Sequence, residues 1–216
     1  MKKTIITTVT FLLIICNLSA QEENNSAIRK NEFSFSAGAG YAYMVDGIAG
    51  LSNLSKSYNN KMRFGLDYNF QAEYRYHRFT VGLMASVFNS KGATEFTSDN
   101  IFVNNYILQY GIYWFVPELH KLSLKTTFGT GITTYTNNSK VLGNKRDISE
   151  ETLFTLNLNV ETAYRLSKNW AIALNVMLIG SGKCRFNVNY HDETFNVRKN
   201  LPLSKVGLSA VIKYTL

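Results

Sequence analysis

Nucleophile and base chemistry has few places to reside in this chain. Of its three histidines, His77 and His120 belong to short polar connections, and His191 is followed by Asp192 in a segment flanked by Ser181 and Ser204. A histidine oriented by a carboxylate beside a serine is the minimal constellation for acyl transfer or hydrolysis. No fixed spacing ties these residues together, and a polar loop tip accounts for His191-Asp192 equally well. Metal ligation has less support, since Cys184 and His191 stand apart without a CxxC or a paired-histidine spacing. Gly180-Ser181-Gly182-Lys183 lacks the earlier glycine and the following Ser or Thr of a phosphate-binding loop. No enzymatic activity, cofactor or metal is expected; a lipid-modifying acyl hydrolase or transferase stands third among the functional readings.

The other chemically capable set is ionic: Arg63, Asp67, Glu73, Arg75, Lys121, Lys125, Glu161, Arg165 and Lys213. These residues fall on the polar face of segments whose other face is apolar. Successive side chains of a strand point to opposite sides, so such a face gathers charge in one place. If the segments on either side of residue 143 pair as a hairpin, Lys125 lies opposite Glu161 and each charge offsets the other in a confined interior. The expectation is a satisfied polar plug. The alternative is a narrow conduit for ions or small solutes.

Long strands must position those charges. From Met62 to Tyr76 the alternation does not slip: Met62, Phe64, Leu66, Tyr68, Phe70, Ala72, Tyr74 and Tyr76 share one face, and Arg63, Gly65, Asp67, Asn69, Gln71, Glu73 and Arg75 the other. Soluble strands are usually about 5 to 6 residues long, whereas a tilted membrane-crossing strand needs roughly 9 to 11. The pattern recurs from Phe33 to Met44, Phe79 to Phe88, Ile101 to Phe115, Lys121 to Tyr135, and Phe154 to Leu166. It returns from Trp170 onward and from Val206 to Leu216, so the chain carries eight strands. Three connections are short, around His77-Arg78, Val116 to His120 and Ser167 to Asn169. Four are long: Val45 to Lys61, Asn89 to Asn100, Thr136 to Glu150 and Gly180 to Leu203. Short and long alternate strictly, the asymmetry of an outer-membrane barrel with short periplasmic turns and long external loops.

The ends and the composition agree. Lys2 and Lys3, an apolar run from Phe11 to Cys16, and Leu18-Ser19-Ala20 read as a secretory signal peptide over 1–20. A short periplasmic segment over 21–32 and a barrel over 33–216 would follow. Loss of Cys16 leaves Cys184 as the single cysteine, which excludes an intrachain disulfide. Loss of Lys2 and Lys3 from the 23 basic residues leaves 21 against 15 acidic ones, a net charge of +6 that suits anionic lipid or lipopolysaccharide. An exported chain has little access to nucleic acid, which is not expected as a partner.

A soluble barrel with a greasy interior would show the same alternation. Against it, the polar face is rich in glycine and charge, while the apolar face carries the bulky aromatics. Tyr74, Tyr76, Trp114, Tyr164, Trp170 and Tyr214 gather near the short-turn ends, where an interfacial girdle sits. With its signal peptide, eight strands and closing segment Gly207-Leu-Ser-Ala-Val-Ile-Lys-Tyr-Thr-Leu216, the sequence resembles the small outer-membrane β-barrel proteins, the OmpA-type transmembrane barrel and related porin-like domains. The resemblance implies an all-β, eight-stranded antiparallel up-and-down transmembrane β-barrel in the outer membrane, with both termini periplasmic. It also implies assembly by the barrel-assembly machinery. Such a barrel is just wide enough for side chains to fill it, so a structural or surface-interaction role leads.

The external surface is expected to centre on the last long connection, with Lys183, Arg185, His191, Asp192, Arg198 and Lys199 available to lipopolysaccharide, an extracellular ligand or a partner protein. Strands seven and eight are expected to continue outward as a hairpin, with Cys184, Phe186, Val188 and Tyr190 on the outward face. Pro202 cannot donate to a ladder, so a break is expected near Leu201-Pro202-Leu203.

Overall fold

The computed structural model describes residues 31–45, 56–115, 121–190 and 193–216, and at 56, 150–151, 183–186 and 195–202 the backbone alone. The leader expected over 1–20 and the turn at 116–120 lie outside the described residues. In chain order the elements are β1 (Asn31–Met44), α1 (Lys56–Met62), β2 (Phe64–Tyr76), β3 (Phe79–Ala93), β4 (Thr97–Phe115) and β5 (Leu122–Val141). They continue with β6 (Asn144–Arg165), β7 (Trp170–Ser181), β8 (Lys183–Tyr190), β9 (Glu193–Pro202) and β10 (Lys205–Thr215).

Eight of these strands close on themselves. Neighbours from β1 to β7 pair antiparallel in sequence order, β7 pairs with β10, and β10 pairs with β1 along Ser34 to Met44. At roughly 3.3 Å per residue and a tilt of about 40°, the 13 residues of β2 rise about 33 Å, enough to cross a hydrocarbon core of about 30 Å.

The direction of the alternation decides between a membrane barrel and a soluble one. Phe35, Phe70, Leu83, Tyr106, Phe128, Leu158, Leu174 and Leu208 are exposed on the outer face, while Asp67, Glu73, Lys125, Glu161, Lys205 and Lys213 are buried inside. A continuous apolar belt around a whole molecule far exceeds the patches that water-exposed monomers carry. Lipid is the solvent for that face. At the short-turn end the aromatics form the expected girdle: Trp170 and Tyr214 pack at a tilt of 54° with ring centroids 4.9 Å apart, the Tyr74 hydroxyl donates to Asn31 Oδ1 at 3.1 Å, and Trp114 Nε1 donates to Thr126 Oγ1 at 3.0 Å.

At the long-loop end two expectations change and a third holds. Two of the long connections are largely strand: β3 and β4 are joined over 94–96, and β5 and β6 over Leu142-Gly143, whose φ angles of 51° and 84° make the tight left-handed turn that favours glycine. The connection before β2 contains α1, and Met62 ends that helix, fully buried, instead of opening the strand on its lipid face. The last connection is a hairpin, β8 with β9, with a break at Leu203-Ser204 after Pro202 and another at Gly182.

Gly182 also changes the phase. Val188 sits opposite Ile148 and packs on the apolar cluster inside the barrel mouth, so this residue does not face outward as expected, while Cys184 and Phe186 lie where the backbone alone is described. The physical reason is the solvent. Above the lipid belt the outside is water, and the apolar side chains turn inward. Met44, Met62, Phe88, Ile101, Val103, Tyr135, Ile148 and Leu203 form this upper core, while Lys91, Asn138, Lys140 and Lys145 are exposed on the outside.

Candidate functional site in the barrel interior

The interior is layered. Nearest the short-turn end, Glu73 on β2 accepts from Lys125 Nζ on β5 at 2.6 Å and from Lys213 Nζ on β10 at 3.1 Å. Glu161 on β6 lies 3.3 Å from Lys125 and 3.5 Å from Lys213. Two carboxylates and two ammonium groups thus make a neutral four-membered layer, and the β5–β6 register sets Lys125 directly opposite Glu161. Tyr113 on β4 seals its edge: its hydroxyl accepts from Lys213 Nζ at 2.6 Å and donates to Glu73 Oε1 at 3.3 Å. Arg75, Lys125 and Lys213 all lie within 5.8 Å of its ring centroid, at cation–π range. Just outside this layer Arg75 pairs with Glu32 at 2.6 Å.

Above it lies a belt of amides and hydroxyls. Asn69 Nδ2 donates to Ser209 Oγ at 2.9 Å, Gln109 Nε2 to Asn157 Oδ1 at 2.7 Å, and Thr133 Oγ1 to Asn105 Oδ1 at 2.7 Å. The amides of Asn159 and Asn175, Gln71 Nε2 and Glu161 Oε2 are buried there without a protein partner. A second charged layer follows, in which Lys205 on β10 pairs with Asp67 and donates to Ser86 Oγ at 2.6 Å. The upper apolar core then closes the barrel.

The expected interior residues separate accordingly. Glu73, Arg75, Lys125, Glu161 and Lys213 come together; Asp67 is buried but belongs to the Lys205 layer; Arg165 is half-buried at the short-turn mouth. Arg63 and Lys121 do not line the interior. Arg63 precedes β2, its Nε donates to the Met44 carbonyl at 2.9 Å and its guanidinium also bonds the Val45 carbonyl over the Tyr43 ring at the long-loop rim. Lys121 precedes β5 and is exposed at the opposite rim, where water solvates it. Sequence reasoning missed Lys205, Tyr113 and Glu32. Lys205 continues the inward parity of Gly207, Ser209, Val211 and Lys213, and Tyr113 that of Gln109 and Gly111, so parity alone could have found both.

The other expected residues are dispersed. His191 and Asp192 lie outside the described residues. Lys183, Arg185, Arg198 and Lys199 lie on the β8–β9 hairpin, with Arg185 directly across the ladder from Arg198. Ser181 is committed to the backbone: its Oγ accepts from Leu203 N at 2.7 Å and donates to the Gly182 carbonyl at 3.3 Å, which staples the hairpin base. Among the described residues no three His, Cys, Asp or Glu side chains gather as metal ligands.

Asp99 organises the cap. Its carboxylate accepts from the Tyr58 hydroxyl on α1 at 2.9 Å, from Asn137 Nδ2 at 2.8 Å and from Arg146 at 3.4 Å. Burial, and then the hydrogen bond to Asp99, push the Tyr58 phenol up to about 12 from 10.0. The undocked helix therefore loses its phenolic proton at lower pH than the docked one. Its contribution to docking is full below pH 10 and is lost as the pH rises through about 12. Comparing the alkaline tyrosinate absorbance of the wild type with Tyr58→Phe checks this; a Tyr58 that ionises near pH 10 would refute it.

No family model matches the sequence, and no curated protein matches it. Solved structures share its architecture. Neisserial surface protein A (NspA) superposes with a TM-score of 0.55 at 12% identity, over 88% of this chain and 99% of that one. A major outer membrane protein from Thermus thermophilus gives 0.62 at 14% identity, over 87% of this chain and 100% of that one. In fold, the chain is an eight-stranded β-barrel of the outer-membrane type.

Proposed function

We propose that this barrel resides in an outer membrane with both termini on the periplasmic side, and that it acts as a structural and surface-interaction protein, not as a pore or an enzyme. The carrying observation is the Glu73–Lys125–Glu161–Lys213 layer, which spans the interior from four strands with its charges mutually neutralised. The Asp67–Lys205 pair and the upper apolar core block the same path twice more. The working surface is then the wall that rises beyond the lipid belt, built from the ends of β3 to β6 and the β8–β9 hairpin. Its partners are outer-membrane lipid and lipopolysaccharide around the wall, an extracellular ligand or protein above it, and the barrel-assembly machinery during biogenesis. The backbone commitment of Ser181 weighs against acyl-transfer chemistry at the hairpin base.

A narrow conduit is the second reading, favoured by the unpartnered amides of Asn159 and Asn175 between the two charged layers. Planar-bilayer recording of the refolded protein separates the two. Electrical silence is expected. Discrete openings whose amplitude changes in Lys125→Met would overturn the sealed reading.

A further inference from the structure

The short-turn mouth opens into a vestibule of about 120 Å³, floored by the neutral charged layer and walled by Ser34, Ser123, Arg75, Arg165 and Lys168. Its charges do not cancel as those of the floor do. Glu73 and Glu161 answer Lys125 and Lys213, and Glu32 answers Arg75. Arg165, at the end of β6, has its backbone N–H on the Lys121 carbonyl, and its guanidinium has no ion-pair partner among the described residues; neither has Lys168 in the following turn. Two positive charges are left over in a recess that also holds the paired Glu32 and Arg75, the buried Ser34 hydroxyl, and Ser123, whose hydroxyl donates to the Ala163 carbonyl at 3.5 Å.

From this surplus we propose that the vestibule is a binding site for a small oxyanion of the phosphate class, gripped by Arg165 and Lys168 against the hydroxyl of Ser34. Arginine presents a planar fork of donors to such an anion, and lysine adds a point charge. The volume suits one tetrahedral anion with a little hydration. It is too small for nucleotide-sized ligands, whose pockets run to about 300–1,000 Å³. The floor contributes by exclusion, since the Tyr113 ring and the two lysines behind it stop the anion from passing inward. The site does not depend on the sealed reading: it fills from the mouth whether or not the lumen conducts.

Phosphorus NMR of inorganic phosphate titrated with the full chain in zwitterionic detergent tests the proposal. Saturable line broadening is expected, weakened at least about tenfold in R165Q/K168Q through loss of two charge-assisted contacts. It should be unchanged in K140Q/K145Q, which removes the same charge from the opposite end. Both pairs are rim residues outside the buried layers, and heat-modifiable migration confirms that each variant folds. Binding to detergent-solubilised protein free of phospholipid assigns the site to the free ion, and binding that requires phosphatidylglycerol assigns it to a lipid headgroup phosphate. Equal binding by R165Q/K168Q and the wild type, equal displacement by chloride, or no saturable signal would overturn the site.

Discussion

Replacing Glu73 by alanine is expected to destabilise the barrel by about 3–5 kcal/mol, the range for removing one partner of a buried ion pair. Glu73 is the acceptor that Lys125, Lys213 and Tyr113 share. Its loss leaves two buried ammonium groups facing one buried carboxylate, Glu161. The deficit is one of charge and not of volume, which yields a second expectation. Glu73→Ala combined with Lys213→Met, which restores neutrality, should recover a large part of the loss, a non-additivity that a double-mutant cycle measures. Urea unfolding in lipid vesicles is the readout. A loss below about 1 kcal/mol, the scale of an exposed pair, would mean that the layer is solvated and that its geometry does not seal the lumen.

Gly40→Ala is expected to be more damaging still, in the exceptional range above about 4 kcal/mol. A Cβ at position 40 would lie inside van der Waals contact of the Leu208 carbonyl oxygen and 2.5 Å from Ser209 Cα. Both are backbone atoms of β10, so no rotamer change relieves the clash. The residue sits in the seam between the first and last strands, the one pairing that closes the cylinder. The expected result is loss of the heat-resistant compact band on a gel and failure to refold into vesicles. Gly180→Ala, whose Cβ would meet nothing within 4 Å, serves as the tolerated control. A normally closing Gly40→Ala barrel would show that the seam can open far enough to admit the Cβ without cost.

Within the hydrocarbon the fold was legible because lipid imposes a strict rule on every second residue. Phe64 to Tyr76 has to alternate, and it does. Where the barrel leaves the lipid the rule lapses. Asn137-Asn138-Ser139-Lys140 is polar on both faces and reads as a loop, although it is paired strand continuing β5. Helix α1 was invisible for another reason. Its seven residues are too few to be stable by propensity, and it persists because Tyr58 and Met62 are buried against the barrel top. In the interior, charged residues inside clearly alternating strands could be assigned a face. Arg63 and Lys121 could not, since each lies one residue outside its strand, where parity no longer constrains it. Lys205 is the opposite case, inside its strand but one residue before Val206, where the apolar alternation begins.

The reversal of polarity between the lipid-bounded and upper parts of the wall also fixes the height at which the molecule floats. Displacement toward the long-loop side would lift Phe64 and Val206 off the hydrocarbon and drag the exposed ammonium group of Lys121 into it. Displacement the other way would drag the exposed ammonium groups of Lys140 and Lys145 into it. Each ångström in either direction carries a mismatch cost, so the barrel sits in a vertical energy well with two steep sides. A bilayer that thins or thickens must deform around this protein, because the protein has no comfortable depth but one.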